Sequence, residues 1–96
     1  MNYEQLAVGK QIVYTSAGAD KQEFGFVSSW RKNGTVFCRF WSKNDSTSLR
    51  TVANSEGCDI RDLVVYPIVP QEFVTATIGM LRANPTKYGW HEGEQK

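Results

Sequence analysis

Apolar and polar residues alternate along most of residues 9–66, and a period of two is typical of strands with one buried face. The alternation predicts five strands, at residues 11–15, 24–31, 35–41, 49–52 and 64–66. Between the second and third strands, Asn33-Gly34 favours the positive φ angles of a type I′ hairpin turn. Within the second strand, Gly25 indicates a bulge or a close approach of two backbones.

Polar segments separate these strands. A flexible loop is predicted at residues 17–21 and a polar turn at residues 42–48. Before the last strand, the segment 57–63 predicts one tight helical turn with Asp59 as its cap. Pro67 ends the strand region, because proline has no N–H to donate to a neighbouring strand.

The hydrophobic period changes to 3.6 after residue 70, which predicts one amphipathic helix over residues 70–84. Pro70 suits its first turn and Asn84-Pro85 ends it. The apolar arc of this helix consists of Phe73, Val74, Thr77, Ile78, Met80 and Leu81. The aromatic tail at residues 87–91 precedes a polar end that we expect to fray.

The other side of this helix carries the small residues Ala76, Gly79 and Ala83. A glycine in a helix interior costs about 1 kcal/mol relative to alanine. We therefore expect close packing to require Gly79, and a second copy of the chain is one backbone that could approach there. The side with small residues thus predicts a homodimer through the helix.

The chain has 96 residues, a length that fits one small domain. Its net charge of +1 is too small to indicate a nucleic-acid-binding protein. It has no apolar run long enough to span a membrane and no secretory leader pattern, so we expect a cytoplasmic protein without a membrane partner. Positive charge is concentrated in residues 31–50, where Asp45 is the only acidic residue. The cations of that segment are Arg31, Lys32, Arg39, Lys43 and Arg50.

The residues do not predict an enzyme. His91, the only histidine, lies in a glycine-flanked tail where nothing orients it as a base. Glycine motifs for phosphate or dinucleotide binding are absent, which predicts no cofactor. Cys38 and Cys58 do not have zinc-ligand spacing, and the alternation around Cys38 favours a buried free thiol, so no metal site is expected.

Four segments resemble the SH3-like barrels of the Tudor and KOW type, as in small uncharacterised phage and prophage proteins. They are Val8–Ile12, Gly25–Val27, Val36–Phe40 and Asp59–Leu63. The resemblance implies a mainly β fold, a five-stranded SH3-like barrel with one C-terminal α-helix. Residues 1–66 would form the barrel, and residues 67–96 would add the helix and the aromatic tail packed on it within a single domain.

The central hairpin has two faces of different character. Val36, Cys38 and Phe40 share one face, and Phe37, Arg39 and Trp41 share the other. If the first set fills the barrel, the second points outward, where aromatic rings beside cations can stack bases and neutralise phosphates. Alternatively, the amphipathic helix covers this strip, and Phe37 and Trp41 belong to a second small core.

Binding is the function that these features predict, with aromatic and arginine residues as anchors. The candidate binding residues are Trp30, Arg31, Lys32, Phe37, Arg39, Trp41, Tyr88 and Trp90. The first hypothesis is a phage-type accessory protein that binds a protein, of the bacterial host or of the phage, and modulates or inhibits a host complex. The alternative is a domain that binds DNA or RNA through the basic aromatic hairpin.

Overall fold

A computed structural model of the chain describes residues 1–15 and 21–96, so most of the loop predicted at 17–21 lies outside the described residues. The strands are β1 Gln11–Thr15, β2 Gln22–Arg31, β3 Thr35–Phe40, β4 Glu56–Asp59, β5 Leu63–Val65 and β6 Gly93–Gln95. The helices are α1 Gln71–Ala83 and α2 Pro85–Tyr88, with 3₁₀ turns at Tyr3–Gln5 and Ile60–Asp62. The chain is thus mainly β with one main helix, as predicted.

The strands form one sheet in the order β4-β3-β2-β1-β5, in which neighbours are antiparallel. β6 is a sixth strand that pairs with β2 in parallel, alongside Ser29–Arg31. Among the described residues β4 and β5 do not pair with each other, so the sheet is open and not a closed barrel. Because β6 is an additional strand, the prediction of five strands is also wrong.

The hairpin of β2 and β3 confirms the strongest local prediction, but its turn differs from the expected type. Gly34 has a φ of 94°, whereas no non-glycine residue in the described ranges has a positive φ. A type I′ turn needs positive φ at both central residues, so the turn of residues 32–34 is not of that type. The Asn33 side chain instead accepts a hydrogen bond from the Thr35 N–H at 3.0 Å.

The prediction of a strand at residues 49–52 is wrong. Only Leu49 of that segment pairs, through an isolated bridge with Trp41, and β3 takes β4 as its partner. β4 contains Glu56, Gly57 and Asp59, residue types that are depleted in strands, so its pairing depends on the open edge of β3 and not on local propensity. The tight turn that follows is confirmed, with the Asp59 side chain accepting from the Arg61 N–H at 2.9 Å.

Two apolar clusters lie on opposite faces of the hairpin. The first contains Ile12, Val27, Val36, Cys38, Phe40, Cys58, Ile60 and Leu63, so the inward face was predicted correctly. The second contains Phe26 and Trp41 from the sheet, Val74, Ile78 and Leu81 from α1, and Trp90. Gly25 permits a close approach of β2 to β3, because a Cβ there would lie 2.0 Å from the carbonyl oxygen of Arg39.

The C-terminal segment is more ordered than the sequence predicts. Residues 93–95 form β6 instead of fraying, and Trp90 is buried in the second cluster. In contrast, the expected packing around Gly79 is absent: a Cβ at Gly79 would have no described heavy atom within 4 Å. In the ranges 1–15 and 21–96, neither helix combines the length and the apolar character needed to cross a bilayer.

Candidate functional site

Arg39 belongs to the interior and not to the exposed strip on which the sequence pattern placed it. Its side chain is fully buried, and its guanidinium donates to the backbone carbonyls of Thr51, Val52, Tyr88 and Gly89 at 2.6–3.2 Å. Burial lowers the pKa of Arg39 from its ordinary value. Arg39 thus joins β3 to the 51–52 segment and to the end of α2, and its guanidinium is buried instead of exposed on the outer strip.

Trp41 and the aromatic tail also pack inside the fold. The Trp41 ring lies between Phe26 and Phe73, with centroid distances of 5.3 and 5.5 Å. Trp90 is buried, and Tyr88 is half-buried against the same cluster. For Trp41 the structure therefore agrees with the alternative in which α1 covers the outer face of the hairpin.

The remaining candidate residues cluster at the hairpin end of the sheet. Arg31 and Lys32 are exposed, whereas Trp30 is half-buried against the first cluster. Phe37 is half-buried but belongs to neither apolar cluster. The guanidinium carbon of Arg31 lies 5.4 Å from the centroid of the Phe37 ring, which is the geometry of a cation–π contact.

β6 completes a cleft at this end of the sheet. Because β6 pairs with Ser29–Arg31, it brings the C-terminal segment beside Arg31. The resulting cavity of about 260 Å³ is lined by Ser29, Arg31, Phe37, Ser55, His91, Gln95 and Lys96. A groove of about 400 Å³ shares Arg31, Gln95 and Lys96 with it and adds Lys32, Asn33 and Glu94. We call this cavity and groove together the basic cleft.

Positive groups dominate the basic cleft. No carboxylate side chain lines the cavity within the described part of the chain, and Glu94 is the one that lines the groove. The neighbouring Glu92 is paired instead with Arg82 at 2.7–2.8 Å, and this contact holds the pKa of Glu92 below its ordinary value. An anionic ligand would therefore meet Arg31, Lys32 and Lys96 without displacing an ion pair.

A contact from the N-terminal 3₁₀ turn fixes the hairpin end. The Tyr3 hydroxyl donates to the carbonyl oxygen of Lys32 at 2.6 Å, across 29 positions of sequence. The Asn33 side chain closes the turn through the Thr35 N–H. Arg31 and Lys32 thus extend from a backbone that is held on both sides.

Sequence reasoning did not find the contribution of His91, Gln95 and Lys96 to this cleft. Their segment has no strand-forming pattern, and only the parallel pairing of β6 with β2 brings it there. Elsewhere in the described ranges, no three His, Cys, Asp or Glu side chains lie close enough to share a metal ion. Cys38 and Cys58 are both buried and free.

Comparison with models of protein families, with curated proteins and with solved structures finds no significant match to this chain.

Proposed function

We propose that this chain is a non-enzymatic binding module of SH3-like architecture that holds nucleic acid in its basic cleft. The observation that carries the proposal is the grouping of Arg31, Lys32, Phe37, His91 and Lys96 around one cavity and its adjoining groove. Cations that follow a phosphate backbone next to a ring that stacks bases are the usual means of binding single-stranded nucleic acid. The cytoplasm of a bacterial cell, with or without a phage, is the compartment that we propose.

The aromatic anchors support nucleic acid over a protein as the partner of this cleft. Protein interfaces depend on tryptophan and tyrosine side chains that a partner can bury. Trp41 and Trp90 are already buried in the fold, and Tyr88 is half-buried there. Among the candidate residues, Arg31 and Lys32 are the exposed ones, and they suit phosphate groups.

His91 supports binding over catalysis. A histidine that acts as a general base needs a second group to fix its ring. His91 is exposed, and within the described residues its side chain makes no hydrogen bond. Its position on the wall of the cavity fits contact with a ligand.

A binding titration against salt tests the proposal. Labelled oligonucleotides should bind the wild type with a log affinity that falls linearly with log salt, by about 0.7–0.9 for each phosphate contacted. Charge reversal with Arg31→Glu and Lys32→Glu should reduce both the affinity and this slope. The matched control is Lys21→Glu with Lys43→Glu, because both lysines are exposed at the far end of β2 and β3. Absence of binding at about 50 mM salt, or equal losses in the two double variants, would contradict the proposal.

A protein partner is the second candidate, and a different surface favours it. Val64, Tyr66 and Ile68 are 59%, 53% and 41% exposed on and just after β5, which is an edge strand of the sheet. Exposed apolar groups beside an unpaired strand edge are suited to a protein interface. The partner proposed is a protein of the bacterial host or of a phage, in a complex that this chain would modulate or inhibit.

Affinity capture from a nuclease-treated bacterial lysate distinguishes this second candidate. The wild type should retain one defined complex, and Val64→Ser with Tyr66→Ser should lose it while Arg31→Glu with Lys32→Glu keeps it. Retention of nothing by the wild type would contradict a protein partner.

Sedimentation of the wild type and of Gly79→Leu tests the proposed homodimer through α1. A monomer in both cases would contradict the homodimer.

A further inference from the structure

We propose that the cavity of the basic cleft accepts one unstacked base, so that the module selects single-stranded over double-stranded nucleic acid. This inference rests on the proposed function and goes beyond it, because phosphate contacts alone do not distinguish the two forms. Single strands can turn a base away from its neighbours and into a protein pocket, whereas a base in a duplex is paired and stacked. The cavity that carries the inference is the one lined by Phe37, Arg31 and His91.

Phe37 and Arg31 provide the stacking surface. The guanidinium lies over the Phe37 ring at 5.4 Å, and both planar groups are partners on which bases stack in protein complexes. Phe37 belongs to neither apolar cluster, so the interior of the protein does not account for an aromatic side chain at this position. A ring held half-buried on a strand is presented to a ligand at little entropic cost.

Gly57 lies beside the edge of the Phe37 ring and has no side chain to contact it. β4 pairs with β3 so that Gly57 lies directly opposite Phe37. A Cβ at Gly57 would lie 3.4 Å from Cε1 of Phe37, so any larger residue would place its side chain against the ring. Gly57 has a negative φ and is exposed, so its backbone conformation does not require glycine.

The rest of the cavity suits the polar edge of a base. Ser29, Ser55 and Gln95 line it and offer groups that donate and accept hydrogen bonds. Its volume of about 260 Å³ exceeds the roughly 150 Å³ of an engineered cavity that holds benzene, so a heterocyclic ring has room there. The mixed lining fits a flat ring with polar edges better than it fits an aliphatic group.

The adjoining groove provides the path for the backbone of the strand. It shares Arg31 with the cavity and leads past Lys32, where phosphates on either side of the inserted base would lie. Arg31 borders both, but Phe37 lines the cavity alone and Lys32 lines the groove alone. Because of this division, substitutions can remove one interaction and leave the other in place.

The test compares a single strand of mixed sequence with a blunt duplex of the same length, both labelled, at one salt concentration. The wild type should bind the single strand at least about 10-fold more tightly. Phe37→Leu should weaken binding of the single strand by about 5- to 150-fold, the range of one lost base stack, and leave duplex binding unchanged. Arg31→Glu with Lys32→Glu should weaken both.

Gly57→Ala is the second variant, because it retains Phe37 and adds a methyl group in contact with the edge of its ring. It should reduce the preference for the single strand, and Gly79→Ala, in open space on α1, is its control. If Phe37→Leu unfolds, as thermal denaturation would show, Gly57→Ala decides the question. Equal affinity for the two forms, or equal losses on both in these variants, would overturn the base pocket and leave the proposed function standing. Absence of binding to either form would overturn both proposals.

Discussion

The guanidinium carbon of Arg39 lies 5.5 Å from the centroid of the Trp90 ring, inside the fold. Arg39 is on β3 and Trp90 follows α2, so this contact joins the central sheet to the C-terminal segment. The same guanidinium satisfies the carbonyl oxygens of Tyr88 and Gly89 at 2.6 and 3.0 Å. A buried charge with several backbone acceptors is a structural requirement, because removal of its donors leaves those acceptors without partners.

Arg39→Lys should therefore destabilise the protein although it conserves the charge. A lysine ammonium cannot match a planar guanidinium that reaches carbonyls on two separate segments. The expected loss in the free energy of unfolding is about 2–4 kcal/mol, measured by chemical denaturation. Arg31→Lys, at an exposed position, is the control and should change it by less than about 0.5 kcal/mol. Equal effects of the two substitutions would show that Arg39 does not hold the C-terminal segment.

The buried position of Arg39 also shows that the sequence pattern does not predict which face of β3 is exposed. Alternation correctly put Phe37, Arg39 and Trp41 on one face of β3, because side chains in a strand alternate between two faces. It cannot tell whether that face meets solvent or a second layer. In the structure α1 packs its apolar arc on this face, which is a tertiary contact that the strand pattern does not contain.

Elements with local signals were predictable, and those formed by pairing alone were not. α1 has a period of 3.6, the hairpin has Asn33-Gly34, and the 3₁₀ turn has Asp59 as a cap, so each could be located from the sequence. β4 and β6 lack strand-forming residues and exist because edges of β3 and β2 are available. Four of the ten residues that line the basic cleft come from the C-terminal segment, and of the ten only Arg31, Lys32 and Phe37 were predicted from the sequence.

Two glycines with opposite surroundings should respond in opposite directions to alanine. At Gly25 a Cβ would lie 2.0 Å from the carbonyl oxygen of Arg39, so β2 and β3 must separate. At Gly79 there is open space in a helix interior, where alanine is favoured by about 0.5–1 kcal/mol. We expect Gly25→Ala to lower the free energy of unfolding by more than about 3 kcal/mol and Gly79→Ala to raise it. Thermal denaturation measures both, and tolerance of Gly25→Ala would disprove the close approach of the strands.

Asp59 should make stability depend on acidity. Hydrogen bonds from the Arg61 side chain, and then from its backbone N–H, lower the pKa of Asp59 to about 2. The folded pKa is below the unfolded value of about 3.9, so the stabilisation is fully present above the unfolded pKa and is lost as the pH falls through the folded one.

Denaturation at about pH 5 and at about pH 2 measures this loss. Asp59→Asn should show a smaller decrease between the two conditions than the wild type, because an amide has no proton to gain in this range. Asp62→Asn is the control, since Asp62 is exposed in the same 3₁₀ turn without capping it. An identical decrease in the wild type and Asp59→Asn would contradict the role of the carboxylate.

Cys38 should resist alkylation as long as the first apolar cluster is intact. Hydrogen bonding with Cys58, followed by burial, raises the pKa of the Cys38 thiol well above its ordinary value. Alkylating reagents react with the thiolate, so both its scarcity and its inaccessibility slow the reaction. With iodoacetamide at about pH 8, mass spectrometry should find Cys38 unmodified in the native protein and modified in denaturant. Arg39→Lys should speed the modification through local opening of β3, whereas Arg31→Lys should not. Rapid modification of Cys38 in the native wild type would show that the interior face of β3 is open to solvent.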